Sequence, residues 1–264
     1  MSDAGELVEI VDTNVYLSRW PTRRVPGDEP PDLVAKLRAG RVSQAWVGSF
    51  DALLHKDLAG VNARLAADCA RYDAALLVPF GAVNPLAPDW EEDLRRCHEV
   101  HKMPGIRLHP NYHGYPLDDP RFARLLENAQ QRKLIVQIVL RMEDPRTQHP
   151  LLQTPDVDPA PLVELLPKFP QLHMQLLNSL QAVRPDLLDQ LLTAGNISVE
   201  IAMLEGVGGI QRLLGHMPLD RILFGSYFPC FAWEAAALKL IESPLGGMQR
   251  TAIARENARR MLSP

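Results

Sequence analysis

Gly105-Ile106-Arg107-Leu108-His109-Pro110, then Asn111-Tyr112-His113-Gly114-Tyr115-Pro116-Leu117-Asp118-Asp119, a helix, Leu134 to Leu140, and Arg141-Met142-Glu143-Asp144-Pro145-Arg146-Thr147-Gln148-His149, is the stretch whose reading decides the fold. It reads as strand, loop, helix, strand, loop. Both strands are short apolar runs bounded by turn residues. The helix between them opens on Asp119-Pro120 and turns Phe122, Leu125, Leu126 and Ala129 to one side, with an acidic cap and proline in the first turn. Arginines, histidines and carboxylates gather just past the strand ends. In a barrel of alternating strands and helices, sites are built there.

The same alternation extends in both directions. Upstream, Val8-Glu9-Ile10-Val11 is a strand running into Asp12-Thr13-Asn14-Val15-Tyr16, and Pro31 to Leu37 with Gly40 beyond it is a helix. Ser43 to Ser49 is a second strand. Leu58, Val61, Leu65 and Cys69 mark a helix face. Leu76 to Val83 is a third strand, interrupted by Pro79, and Trp90, Leu94, Cys97 and His101 mark another helix. Downstream, a proline-rich loop from Pro145 to Pro161 leads to a helix on Leu162, Leu165, Leu166 and Phe169. Strands then follow at Leu172 to Leu177, Ile197 to Ile201 and Arg221 to Gly225, with helices between and after them. Eight alternations in 264 residues predict an α/β fold, a single (β/α)₈ TIM barrel forming one domain over residues 1–264. A doubly wound sheet is the competitor, but no glycine-rich phosphate turn follows the first strand.

Composition narrows the partners. A net charge of −4 supplies no electrostatic footprint for nucleic acid or an anionic membrane, so a small molecule is the expected partner. Cys69, Cys97 and Cys230 are an odd, widely spaced set, which suits a reducing compartment. Met1 to Glu6 is acidic without an apolar signal core, and no apolar run is long enough to span a membrane. The expectation is a cytoplasmic protein.

The residues now in view resemble the amidohydrolase superfamily, in the branch of amidohydrolase-related lactonases and metal-dependent decarboxylases of aromatic acids. The carriers are Val11-Asp12-Thr13-Asn14-Val15-Tyr16, Gly105 to Pro110, Val136-Gln137-Ile138-Val139, Arg221-Ile222-Leu223-Phe224-Gly225-Ser226-Tyr227-Phe228-Pro229, and the closing Arg255 to Leu262. In that family strand one ends Asp-x-His-x-His, strands five and six each end in a metal-binding histidine, and strand eight ends Gly-Ser-Asp. The matching positions here are Asn14, Tyr16, Val139, Asn178 and Tyr227. Valine offers no ligand, and amides and neutral phenols are poor ones. The expectation is therefore no metal and no cofactor. Relatives imply a homodimer.

Two readings of function stay open. In one, a metal-independent hydrolase or lactonase takes a small carboxylated substrate. His109 or His113 is the general base, with Glu200 at the end of strand seven as a further candidate. Arg107 and Arg141 hold the anion, and Asn14, Tyr16, Gln137, Asn178 and Tyr227 line the pocket. In the other, the barrel is a catalytically inactive relative that binds a small anion or acts as a scaffold. A relocated metal site on His109, His113, His149 and Glu143 is a third arrangement. The bland alternative for the loop arginines is pairing with Asp118, Asp119, Glu143 and Asp144.

Overall fold

The computed structural model describes residues 8–262. Residues 1–7 and the final two residues of the expected 1–264 domain lie outside them. Eight parallel strands form the wall: β1 (Ile10–Leu17), β2 (Val42–Ser49), β3 (Leu77–Pro79), β4 (Gly105–Leu108), β5 (Ile135–Val139), β6 (Met174–Leu177), β7 (Ile197–Glu200) and β8 (Ile222–Leu223). The order is sequential, β1 to β3 in one sheet and β4 to β8 in another. Two isolated bridges, Gly81↔Ile106 and Val15↔Phe228, join the sheets into a (β/α)₈ barrel. Among the described residues no helix is long and apolar enough to cross a membrane.

The helices form for the reasons the sequence suggests. Pro30–Ala39, Pro120–Gln131 and Pro185–Ala194 each carry proline in the first turn, where its missing N–H costs nothing and its fixed φ is already helical. Asp57 and Asp119 cap their helices by accepting from Gly60 and Arg121 backbone N–H groups. The helices bury their apolar stripes against the outer faces of the strands, through Leu33, Leu37, Leu65, Leu94, Phe122, Leu125 and Leu191. Each such side chain contributes about 1.5–3 kcal/mol.

Three expectations shift. β1 does not end before Asp12 but runs on to Leu17. Strand three stops at Pro79, which has no N–H to continue the ladder. Asn111 to His113 is not open loop but part of a helical turn, Pro110–His113, which Gly114 ends in the left-handed conformation.

The register between β1 and β2 slips between Asp12 and Val15, where one extra β1 residue is accommodated. Such a bulge turns side chains to new directions. Here Val11 packs with Trp46 and Phe80 inside the lower barrel, whereas Val15 and Leu17 face the helices and Tyr16 joins the cluster at the upper mouth.

At the β3–β4 seam, Gly81 N–H donates to Gly105 and the Gly81 carbonyl accepts from Arg107 N–H. A Cβ on Gly81 would lie 2.4 Å from Cys97 Sγ and 2.8 Å from Met103 Sδ. Gly81→Ala is expected to destabilise by roughly 1–3 kcal/mol, while Gly247→Ala, with nothing within 4 Å of its Cβ, stays within about 0.5 kcal/mol. Urea unfolding midpoints of the two variants test this.

Candidate functional site

Arg107, Gln137 and Gln175 occupy matching rungs of β4, β5 and β6, each flanked by apolar residues that point outward. All three are fully buried. Arg107 Nε donates to Gln137 Oε1 (2.8 Å), Nη1 to the Val15 carbonyl (2.7 Å), and Nη2 to the carbonyls of Trp46 (2.9 Å) and Thr13 (3.2 Å). Its guanidinium lies 4.6 Å from the Tyr16 ring centroid. Gln137 Nε2 donates to the Thr13 carbonyl and to Gln175 Oε1, Gln175 Nε2 donates to Thr13 Oγ1, and that hydroxyl donates to the Phe224 carbonyl. The chain of bonds crosses the barrel interior. Arg107 and Gln137, expected to meet a substrate, spend their donors on the barrel wall.

Above this layer, Asn14 Nδ2 donates to Asn178 Oδ1 (2.9 Å) and Glu200 Oε1 (3.2 Å). Glu200 also accepts from the Asn178 N–H (2.6 Å) and the Ala202 N–H. Asp12 Oδ1 accepts from the N–H groups of Asn14 and Ser226, which ties β1 to the end of β8. Tyr16 OH pairs with His109 Nε2 (3.0 Å). Tyr227 OH donates to the Met142 carbonyl (2.6 Å), and Asn178 Nδ2 to that of Arg141 (2.8 Å). Asn178 and Tyr227 both have positive φ, 55° and 58°, a costly conformation for a bulky residue such as tyrosine. Asn14, Tyr16, His109, Asn178, Glu200 and Tyr227 are all 0 % exposed. Over them pack Trp20, Val25, Phe50, Leu53, Met142 and Met203.

Burial sets the protonation states. Desolvation raises Glu200 to about 7 and Asp12 to about 6, against the hydrogen bonds that favour their ionised forms, from the Ser226 side chain and backbone N–H groups at Asp12 and from backbone N–H groups and Asn14 at Glu200. Burial also holds the Tyr16 and Tyr227 phenols protonated. Burial, then His113 and the Arg107 charge, keep His109 neutral. Asp12 Oδ2, Asn14 Oδ1 and His109 Nδ1 are buried with no hydrogen-bond partner among the described residues.

Thus the structure brings Asn14, Asn178 and Glu200 together and pairs Tyr16 with His109. His113 lies edge-on to His109, ring centroids 6.0 Å apart, with its own Nε2 on the Ala52 carbonyl (2.8 Å). Arg141 is not aimed into the mouth but clamps Asp156, Nε to Oδ1 at 2.8 Å. Arg146 pairs with Asp144, as the bland alternative has it, and Glu143 pairs with Arg23. No three His, Cys, Asp or Glu side chains among the described residues converge so as to hold a metal ion. Cys230 packs beside Tyr227, and burial pushes its thiol up to about 12, so it is a poor nucleophile. Sequence reasoning missed Asp12, Thr13, Gln175 and Met142. Gln175 was findable, because Met174-Gln175-Leu176 repeats the pattern of Ile106-Arg107-Leu108 and Val136-Gln137-Ile138.

A family model described as Amidohydrolase matches residues 21–263. No curated protein matches the chain. Similar solved structures include 2,6-dihydroxybenzoate decarboxylase from Rhizobium, with TM-score 0.71 and 14% identity over 96% of this chain and 98% of that one. Another is 5-carboxyvanillate decarboxylase from Sphingomonas paucimobilis, with TM-score 0.72 and 12% identity over 97% and 99%. A third is an uncharacterised TIM-barrel protein from Bordetella bronchiseptica, with TM-score 0.74 and 15% identity over 97% and 98%.

Two measurements test the site. Arg107→Met removes the guanidinium donors to the Val15 and Trp46 carbonyls and leaves Thr13 with Gln137 alone, and is expected to cost about 3–5 kcal/mol or to prevent folding. Thermal and urea unfolding measure that loss. The second test is pH. Glu200 holds its proton more tightly in the folded state than in the unfolded chain, so its contribution is fully present below about pH 4.5 and lost as pH rises through about 7. Whatever constant cost Glu200→Gln carries, the variant should gain on the parent by on the order of 2–3 kcal/mol between pH 4.5 and pH 8. Paired unfolding curves across that range check the sign.

Proposed function

Because this chain belongs to the amidohydrolase family, we propose that it is a metal-independent member whose barrel mouth has become a non-catalytic binding or scaffolding element. The observation carrying this reading is that the groups chemistry would need are already spent. Arg107 is consumed by backbone carbonyls and Gln137, and Glu200 by two backbone N–H groups and Asn14. The donor set does not fit a catalytic metal either. Zinc takes about three nitrogen, sulfur or carboxylate donors around one open position. The family's ligand positions hold two amides, two phenols kept protonated by burial, and Val139.

The same geometry argues about ligand charge. Arg107 and Arg141, the guanidinium groups expected to hold a small anion, are both committed elsewhere. Of the unpartnered atoms in the mouth, two are acceptors, Asp12 Oδ2 and Asn14 Oδ1. A ligand that offers hydrogen-bond donors satisfies them better than one that brings negative charge.

A specific observation favours the second reading, a metal-independent hydrolase or lactonase. Glu200 at about 7, neutral His109 and two strained residues form the kind of buried, perturbed cluster that active sites use. Decarboxylases among the similar structures make a small carboxylated compound its natural substrate. Assays of lactones, esters and aromatic carboxylic acids, with and without added zinc or manganese, separate the two. The expected outcome is no turnover and metal well below one ion per chain by elemental analysis. Turnover that falls by about 100-fold or more in both Glu200→Gln and His109→Ala would replace the non-catalytic reading with the hydrolase.

A further inference from the structure

The mouth is sealed, and one segment contributes most of the seal that could move. Between β5 and the helix Leu162–Leu165, residues 140–157 form neither helix nor strand. Their two ends are held together. Val157 N–H donates to the Leu140 carbonyl at 2.9 Å, and Arg141 Nε reaches both oxygens of Asp156 at 2.8 and 3.0 Å. The far part is stitched to itself, with Gln148 Nε2 donating to the Thr154 carbonyl and Thr154 N–H to Gln148 Oε1. Closely spaced ends and internal bonding are the marks of a compact loop that can move as a body. Segments this long without secondary structure are uncommon in compact folds, and active-site lids are one of their usual roles.

Its attachment to the barrel is sparse and local. Met142, 3 % exposed, is the residue that enters the mouth. Its sulfur lies 3.7 Å from both the Tyr16 and Tyr227 hydroxyls, and its carbonyl accepts from Tyr227. Beside it, the Arg141 carbonyl accepts from Asn178, and Glu143 pairs with Arg23. Beyond these the segment turns outward, to Leu151 at 90 % exposed, and on its return it meets the turn after β4, where Asn111 Nδ2 donates to the Pro155 carbonyl at 3.0 Å and Tyr112 bonds Thr154. Underneath lie Asn14, Asn178 and Glu200 with their bonds to one another. One buried methionine, three side-chain bonds to carbonyls, a Tyr112–Thr154 contact and one ion pair are little to break compared with the apolar core of the wall. Elements held this way open at lower free energy than the fold as a whole. Methionine suits the role, since an unbranched thioether leaves and re-enters a gap without demanding one rotamer.

We propose that residues 140–157 are a strap that lifts when the Arg141–Asp156 clamp releases, withdrawing Met142 and giving solvent and a small ligand access to the Asn14–Asn178–Glu200 cluster while the barrel stays folded. The inference goes beyond the function proposed above and does not depend on it, because a ligand-binding mouth and a catalytic one both need an entrance. The Arg141–Asp156 clamp fixes the closed position, and the Tyr227 hydroxyl is the latch.

The methionines report on this without a label. In dilute hydrogen peroxide, each thioether oxidises to its sulfoxide only when the oxidant reaches it. Met248, 89 % exposed, marks free access, and Met174, 0 % exposed in the core of the wall, marks global unfolding. Peptide mass spectrometry of the full chain should find Met142 oxidised at a rate between the two, at least about tenfold faster than Met174. Asp156→Ala should raise the Met142 rate several-fold and leave the Met174 rate unchanged. If Met142 is oxidised in step with Met174 in both proteins, the strap does not open on its own and the proposal fails. It fails equally if Asp156→Ala leaves the Met142 rate unchanged.

Discussion

The guanidinium of Arg107 sits inside a barrel, out of reach of water, with no carboxylate bonded to it. Removing such a charge from solvent costs several kcal/mol, and only complete hydrogen bonding makes it tolerable. Four acceptors meet it, three of them backbone carbonyls of β1 and β2 and the fourth the side chain of Gln137 on β5. Each acceptor constrains its own element. The β1 bulge accompanies the aim of Thr13 and Val15 carbonyls at the cation. Position 48 must lack a side chain, since a Cβ there would stand 2.8 Å from Arg107 Cδ. Gln137 then orients Gln175, and Gln175 orients Thr13. The barrel interior is a polar spindle dressed by an apolar wall.

That arrangement bears on the mouth. With its cationic side chain turned into structure, Arg107 offsets only part of the burial cost of the two carboxyls above it, Asp12 and Glu200. Burial answers by drawing both toward their neutral forms. Asn14 and Asn178 bond to each other and to Glu200. Tyr16 and Tyr227 bring bulk as well as hydroxyls, closing the space from the sides while Met142 closes it from above. The left-handed backbone at Asn178 and Tyr227 is held by these same contacts, which offset its cost.

Family membership and mouth chemistry therefore point in different directions. The fold is the one that decarboxylases of carboxylated aromatics use. The residues at the strand ends are those of a closed, hydrogen-bonded plug. Fold carries little information about reaction, because function resides in the side chains grafted onto it.

The sequence by itself determined the wall. Alternating apolar runs and helix faces, proline at helix starts and the tally of eight repeats are local signals, and the barrel follows from them because strand and helix periods are written in neighbouring residues. Only the tertiary structure decided where each polar group spends its hydrogen bonds. Arg107 and Arg141 look alike on paper, both near strand ends and both suited to an anion. One is buried among carbonyls from strands roughly 60 to 90 residues away, and the other is clamped to Asp156 on its own loop. Asp12 and Met142, unremarkable in the chain, become central for the same reason. A side chain's partner is set by which strands closure brings face to face, and that distance in space leaves no trace in the spacing along the chain.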